Sequence, residues 1–322
     1  MKPAFSVIFL TTLIGVGQGL FLALYTGEVF SFAGGNQSNP PQMMLVGALL
    51  VFVLMVLGVF ASTFHLGRPE RAWRAATQWR TSWLSREVIV LPAFIVMVAL
   101  WGGGFLFDNN PILSVLGGLE IRLSFVVGLI AAFFALFLYV CTAMIYVAIK
   151  CIQEWASPLT VINYLLLGLA SGFTLATALA SYFQSLLTVD YAVLSIIFIV
   201  AAAGSRFFSL CRNAQIKPKL SAGTALGTRH LQIRQISQGV RRGSFNTSEF
   251  FHHASQNFFL WTKFFFLIAT FVLPFFLVIF GWIGDSTLIL IAAVLIQYMG
   301  LLAERWFFFA EANHPQNNYY QG

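Results

Sequence analysis

Long apolar segments constrain the fold of this chain more than any other feature of its sequence. A helix that crosses a bilayer needs about 20 mostly apolar residues. Segments of that kind occur at 5–29, 43–65, 87–107, 123–149, 160–183, 190–210, 262–282 and 286–309. The last two are joined by a very short turn, so they are expected to form a helical hairpin. The sequence therefore predicts eight membrane-spanning helices.

The fold class follows from what a bilayer permits. Backbone polar groups cannot stay unpaired in lipid, so only helices and closed barrels span a bilayer. The alternating apolar and polar pattern of barrel strands is not seen in this sequence. Only 9% of the 322 residues are charged, against roughly 25% in a soluble domain. We predict an all-α, polytopic membrane helix bundle in which residues 1–322 form one integral membrane domain.

The positions of Lys and Arg predict the orientation of the bundle. All but one of the 18 basic residues fall on one side of the predicted spans, and Arg122 falls on the other. Because basic residues are enriched in cytoplasmic loops, both termini and the basic loops are expected in the cytoplasm.

The longest connection, 211–257, is also basic. It is either an ordinary loop on anionic head groups or a docking platform for a soluble partner, and its length favours the platform. The arginines assigned to docking are Arg74, Arg229, Arg234, Arg241 and Arg242.

The connection between the second and third spans is the strongest candidate for a chemical role. It begins His65-Leu-Gly-Arg-Pro-Glu-Arg-Ala72 and ends Ser82-Trp-Leu-Ser-Arg-Glu87. His65 closes one apolar run and Glu87 opens the next, so both are expected at the same membrane interface. A quinone head group needs hydrogen-bond partners for its two carbonyl oxygens, and its redox chemistry needs a proton donor or acceptor. A histidine and a carboxylate can supply both.

The predicted quinone-binding residues are His65, Glu87, Arg68, Arg71 and Ser85, with Trp83, Glu304 and Arg305 further from the ligand. Glu304 and Arg305 lie late in the last span, where they are expected to pair inside the bundle or to line the same cavity. The opposing interpretation is that His65 and Glu87 only cap helix ends or snorkel to the head groups, and that the arginines only set the topology.

No metal site is expected in this chain. Its cysteines, Cys141, Cys151 and Cys211, lack C-x-x-C spacing, and an iron–sulfur cluster normally needs about four ligands. A bis-histidine haem b would need two inward-facing histidines at matched depth, and His65 is the only histidine near the interior of a predicted span. Haem b is therefore not expected either.

The segments 65–72 and 82–87 resemble the membrane anchor subunits of the dimethyl sulfoxide reductase type of molybdoenzyme. The resemblance extends over essentially the whole chain, through the eight spans and the Glu-Arg-Trp-Phe-Phe sequence at 304–308. The Ala-Glu-Ala-Asn-His-Pro-Gln-Asn sequence at 310–317 is similar to one branch of the family, which includes anchors of sulfite-oxidising complexes.

The resemblance implies a redox role in a bacterial cytoplasmic membrane. The anchor would bind ubiquinone or menaquinone, carry no metal itself and exchange electrons with an iron–sulfur subunit. That subunit would connect to a catalytic subunit that holds molybdopterin. The family's histidine and glutamate implicated in quinol binding correspond to His65 and Glu87. Membrane lipid is the other expected partner, and nucleic acid is not.

The distribution of basic residues favours one branch of this family. Partner subunits of this family dock on the face with the arginine loop, and the basic residues put that face in the cytoplasm. This favours cytoplasmic sulfite oxidation over an exported dimethyl sulfoxide reductase. The alternatives are the anchor of a quinol-oxidising reductase, a passive anchor without a quinone site and, in another class, a small-anion transporter. Few charges within the spans and no paired helix-breaking segments argue against transport.

Overall fold

Eight long apolar helices make up the fold. The computed structural model describes residues 1–33, 38–107, 110–116, 119–216, 222–228, 233, 236 and 249–318. Within them, the helices long and apolar enough to cross a membrane are α1 (Phe5–Phe32), α2 (Pro41–Thr63), α3 (Trp83–Leu106), α4 (Leu123–Val147), α5 (Pro158–Tyr182), α6 (Thr188–Ala214), α7 (Gln256–Ile283) and α8 (Thr287–Glu311). The predicted all-α bundle and its eight spans are confirmed.

Short elements lie between and after the spans. They are 3-10 turns over Pro69–Gln78 and Pro315–Asn318, an antiparallel hairpin of β1 (Ile112–Leu116) and β2 (Leu119–Arg122), and a single helical turn over Ala222–Leu226. The hairpin was not predicted, since it lies in a connection where hydropathy carries no signal. Helix α7 contains a π-helical turn over Ile268–Val272, directly before Pro274, whose missing N–H interrupts the ladder of hydrogen bonds.

Two helices begin earlier than their apolar runs because serine side chains cap them. The Ser82 hydroxyl accepts a hydrogen bond from the Ser85 backbone N–H at 3.4 Å, which starts α3 at Trp83 rather than at residue 87. Ser255 accepts from the Phe258 N–H at 3.2 Å and starts α7 before residue 262 in the same way. The predicted starts of these two spans were therefore late by about one turn or more.

Helices α1 and α5 touch backbone to backbone at the centre of the bundle. An added Cβ on Gly19 would collide with the carbonyl of Gly168, and one on Gly172 would collide with the backbone of Gly19 and Leu20. Small residues allow this close approach inside a membrane, where packing replaces the hydrophobic effect as the cause of association. Helix α1 is therefore enclosed by its neighbours.

Both chain ends lie at the same end of the bundle. The amino group of Met1 donates to the Ala312 carbonyl at 2.9 Å, and the Arg212 side chain donates to the Gln153 carbonyl, also at 2.9 Å. The termini, the α4–α5 connection and the end of α6 thus share one face, which we call the termini face. The expected cytoplasmic position of this face stays a prediction.

Much of the long basic connection lies outside the described residues. Its first residues belong to the end of α6, and its last belong to the start of α7. The predicted docking residues Arg229, Arg234, Arg241 and Arg242 lie outside the described residues. Arg74 is described, and it is exposed on the turn between α2 and α3.

Candidate functional site

Glu87 is buried inside the bundle rather than at its edge. Because the Ser82 cap starts α3 at Trp83, Glu87 falls in the second turn of the helix. It shares the inward face with Val90, Leu91 and Phe94, which follow at helical spacing and are all buried. Glu87 is 8% exposed, and the Thr142 hydroxyl on α4 donates a hydrogen bond to its Oε1 at 2.5 Å. A carboxylate of this kind can hold or release a proton away from bulk water.

A small cavity lies beside this carboxylate. Polar side chains from five helices line it: Gln18 of α1, Glu87 of α3, Tyr139 of α4, Tyr164 of α5 and Arg305 of α8. Its volume is about 20 Å³, which is enough for one water molecule or one ligand oxygen. The buried Tyr164 hydroxyl has no hydrogen-bond partner of good geometry among the described residues.

Arg305 brings a positive charge to the cavity that holds Glu87. Its guanidinium lies 3.6 Å from the centre of the Tyr164 ring, in a cation–π contact that fixes its position. Its Nε lies 3.6 Å from Glu304 Oε2. Glu304 in turn pairs with Arg206 of α6, with Oε1 and Nε 2.9 Å apart. Glu304 and Arg305 therefore do both things expected of them: they pair inside the bundle, and Arg305 lines the cavity.

His65 occupies a different environment from Glu87. It lies just after the end of α2, is exposed, and is not among the described residues that line the cavity. The structure does not bring His65 and Glu87 together in that cavity. Helix α2 ends before His65, whereas α3 starts early enough to include Glu87 on its buried face. Partial burial lowers the pKa of His65 from its ordinary value, which favours the neutral imidazole, with one N–H to donate and one nitrogen to accept.

The arginine loop is held against the start of α3. Ser85 is buried, and its hydroxyl donates to the Ala75 carbonyl on the 3-10 turn. The Arg86 guanidinium lies over the Trp83 ring at 4.1 Å, and its Nε donates to the Trp79 carbonyl at 3.0 Å. Ser85, a predicted quinone-binding residue, and Trp83, which was predicted further from the ligand, thus anchor the loop from α3.

The other predicted residues of the loop, Arg68 and Arg71, are exposed on the turn. Their guanidinium groups are therefore open to head groups, to a quinone at the interface or to a partner subunit.

The comparison with known proteins identifies the family. Residues 1–310 match the family model described as DMSO reductase anchor subunit (DmsC). The chain belongs to this family. The resemblance predicted from the sequence is therefore confirmed over nearly the whole chain.

Individual relatives refine the placement of this anchor subunit. It is 47% identical over 322 residues, 100% of this chain and 99% of the relative, to the C subunit of sulfite dehydrogenase from Allochromatium vinosum. It is 27% identical over 212 residues, 66% of this chain and 71% of the relative, to YnfH, a polypeptide of an anaerobic dimethyl sulfoxide reductase from Escherichia coli. The C polypeptide of the anaerobic dimethyl sulfoxide reductase from Haemophilus influenzae is 27% identical over 176 residues, 54% of this chain and 57% of the relative.

Several residues of the anchor subunit's cavity were missed by the sequence analysis. Thr142, Tyr139 and Tyr164 look like ordinary members of apolar runs, and only tertiary packing brings them to Glu87. Gln18 did carry a signal, because a carboxamide inside an apolar span is costly to bury unless it has partners. Its Nε2 donates to the Ala135 carbonyl at 3.4 Å.

A second cavity lies at the opposite end of the anchor subunit. Its volume is about 480 Å³, and Glu28, Asn110 and Ser124 line it. Glu28 accepts hydrogen bonds from Trp101 Nε1 at 3.0 Å and from the Ser124 hydroxyl. Within the described residues, no group of three or more His, Cys, Asp or Glu side chains is placed to hold a metal.

Quinone, the ligand implied for this family, can be tested against the cavity. The donor set fits, since a carboxyl, a phenol and a guanidinium can each hydrogen-bond or stabilise a carbonyl oxygen. The volume admits that oxygen but not a ring. A quinone would therefore place its ring at the edge of the cavity or displace side chains that line it.

Proposed function

We propose that this anchor subunit exchanges electrons between membrane quinone and an iron–sulfur subunit of a molybdenum-containing complex that oxidises sulfite. One observation carries the choice of substrate: identity of 47% extends over the full length of the sulfite dehydrogenase relative. The dimethyl sulfoxide reductase relatives match only part of this chain, at 27%. Their similarity supports the alternative, an anchor that oxidises quinol for a reductase.

The chemistry of the cavity supports a quinone-reactive role. Reduction of ubiquinone or menaquinone adds two electrons and two protons, and oxidation of the quinol removes them. Glu87 is the candidate proton donor and acceptor, held in place by Thr142. Arg305 would stabilise negative charge that develops on the quinone oxygen, because a fixed charge in a dry site needs no reorganisation. His65, whose imidazole has an N–H to donate, is the candidate partner for the second carbonyl at the interface.

The partner subunits are proposed to dock on the cytoplasmic side. The arginine loop with exposed Arg68, Arg71 and Arg74 would be part of that surface, and the loop 211–257 would extend it. The basic residues that cluster on this side support its cytoplasmic position. Reporter fusions within 211–257 should therefore report a cytoplasmic location.

Two substitutions in the assembled complex test the quinone site. With Glu87→Gln, and with His65→Ala, sulfite-dependent reduction of quinone should fall by roughly tenfold or more, as expected for loss of a proton-transferring or binding group. Sulfite-dependent reduction of a water-soluble dye should be unchanged, because a dye takes electrons from the partner subunits.

Glu120→Gln is the matched control, since Glu120 lies exposed on the hairpin and pairs with Arg122. It should leave both activities unchanged. Full quinone activity in both site variants would instead favour a passive anchor.

A further inference from the structure

Protons must reach Glu87 although water does not reach it freely. If quinone is reduced at this cavity, each turnover consumes two electrons, supplied by the iron–sulfur partner, and two protons. The electrons arrive from the partner, but the protons need a connection from the cavity to one of the two faces of the bundle. The carboxyl group of Glu87 is buried, and its cavity holds only about 20 Å³.

A row of alternating charges leads from the cavity to the termini face. It begins with Arg305, which lines the cavity, and continues to Glu304 at 3.6 Å and then to Arg206 at 2.9 Å. Arg206 Nη2 lies 3.8 Å from Glu311 Oε2. Glu304 and Glu311 are two turns apart on α8, so the row runs along that helix towards its end.

Buried atoms along this row lack hydrogen-bond partners. Arg206 Nη2 and Glu304 Oε2 have none among the described residues, and the 3.8 Å and 3.6 Å contacts that they make are too long for a hydrogen bond. Buried polar atoms of this kind are normally hydrogen-bonded to ordered water. Arginine keeps its proton at physiological pH, so here it holds carboxylates and water in place rather than carrying protons itself.

The far end of the row opens to solvent. The Glu311 side chain is 16% exposed and lines a cavity of about 550 Å³ on the termini face, with Met1, His252 and His253 around it. Further charged groups near its carboxylate are Glu154, from the α4–α5 connection, and Lys263, from α7. Glu311 is therefore a carboxylate in contact both with surface water and with Arg206.

The opposite direction is apolar. Between Gln18 and Glu28 on α1, the fully buried Phe21 and Leu24 fill the interior. The Phe21 ring meets the edges of Phe94 and Trp101, with ring centres 5.4 and 5.2 Å apart. Such packing offers no group to a proton, so it separates the Glu87 cavity from the Glu28 cavity.

We infer that protons are exchanged between the Glu87 cavity and the termini face along Arg305, Glu304, Arg206 and Glu311, with Glu311 as the entry group. This inference rests on the proposed quinone reaction at Glu87. Quinone takes up its two electrons from the partner subunit and its two protons from this row, and quinol oxidation returns both by the same routes. Turnover then moves no net charge between the two faces of the membrane.

Glu311→Gln tests the entry group in the assembled complex. The substitution keeps the size of the side chain and one oxygen that can face Arg206 but removes the acid. Sulfite-dependent quinone reduction should fall by about tenfold or more, its solvent isotope effect in D₂O should rise, and added imidazole or acetate should restore part of the rate. A purely structural defect would not respond to small proton carriers. Dye reduction in the same buffers should not change.

Glu28→Gln is the matched control at the other end of the bundle. It makes the same chemical change in a carboxylate with hydrogen-bond partners and should leave quinone reduction unchanged. A defect in Glu28→Gln that imidazole repairs would overturn the inference, as would a normal rate and isotope effect in Glu311→Gln. If Glu87→Gln also kept full activity, the quinone site itself would fail. If Glu87→Gln were inactive while Glu311→Gln was normal, only the proton connection would fail.

A measurement on the unmodified complex tests the inference even if the Glu311→Gln complex does not assemble. In sealed vesicles with the termini face outward, sulfite oxidation releases two protons outside and quinone reduction takes up two from the same side. A pH-sensitive dye trapped in the lumen should therefore report no change during turnover. Alkalinisation of the lumen would show that protons come from the opposite face and would overturn the inference.

Discussion

The contact between α1 and α5 makes a sharp prediction about stability. A Cβ added at Gly172 would collide with the backbone carbon of Gly19 and the backbone nitrogen of Leu20. No flexible side chain can yield there, so one helix must move. Overpacking typically costs about 1–3 kcal/mol, and a clash between two backbones belongs at the upper end of that range.

The higher helix propensity of alanine offsets part of the destabilisation in Gly172→Ala. Replacing glycine by alanine in a helix interior contributes roughly 0.5–1 kcal/mol of stabilisation. The net loss for Gly172→Ala should therefore be about 2 kcal/mol, which is more than a tenfold change in the unfolding equilibrium constant. Gly204→Ala is the matched control, since Gly204 lies within α6 and a Cβ there meets nothing within 4 Å. That variant should be neutral or slightly stabilised.

The assay is reversible unfolding of the purified anchor subunit in mixed micelles of increasing denaturing detergent, followed by circular dichroism. Gly172→Ala should unfold at a lower fraction of denaturing detergent than the unmodified chain, and Gly204→Ala should not. Equal midpoints for the two variants would refute the reasoning, because they would mean that α1 and α5 do not meet backbone to backbone.

Three further predictions concern the site. Thr142→Val keeps the shape but removes the donor to Glu87, so quinone reduction should fall by roughly threefold or more, as for loss of one typical hydrogen bond; an unchanged rate would separate Thr142 from the reaction. Arg305→Lys keeps the charge but loses the planar contact with Tyr164, so the apparent KM for quinone should rise or kcat should fall while dye reduction persists. Because the pKa of His65 is lowered in the folded state, protonation of its imidazole favours the unfolded chain. The neutral His65 therefore contributes stability at pH values above the ordinary imidazole pKa. This contribution is lost as the pH falls through the pKa that His65 has in the folded protein. Thermal stability of the wild type should thus decline below about pH 6.5 more than that of His65→Gln.

The sequence was sufficient for the eight spans, and the reason is physical. Length and apolarity are local properties, so each of the eight spans could be found without knowing its neighbours. Glu87 could be proposed as a candidate because an acid beside an apolar run, after a motif shared with a known family, carries its own signal. The starts of α3 and α7 were less predictable, since a single hydrogen bond from Ser82 or Ser255 moves a boundary by a turn.

The cavity itself could not be derived from the sequence. Arg305 and Glu87 are separated by most of the chain, and both line a cavity to which α1, α4 and α5 also contribute side chains. Nothing in the local sequence of Thr142 or Tyr164 distinguishes them from lipid-facing neighbours. The same packing left His65 outside the cavity, although His65 and Glu87 lie at the two ends of one connection. Sequence proximity was thus a weaker guide to the site than the helix arrangement.

The charges between the cavity and the termini face bear on how Glu87 can work. Arg305 and Arg206 balance Glu304 and Glu311, so this row is neutral without Glu87. An ionised Glu87 would add one unbalanced negative charge to a region of low dielectric, which is costly, whereas a protonated Glu87 adds none. In the proposed reaction, a quinone oxygen that gains electrons is itself negative and takes the proton. The negative charge then moves between the quinone oxygen and the Glu87 carboxylate, so no new charge is created in the cavity. Arg305 lines the same cavity and stabilises the charge in both positions. On the proposed function, this balance of charge is the reason for an acid and a fixed arginine in one small cavity.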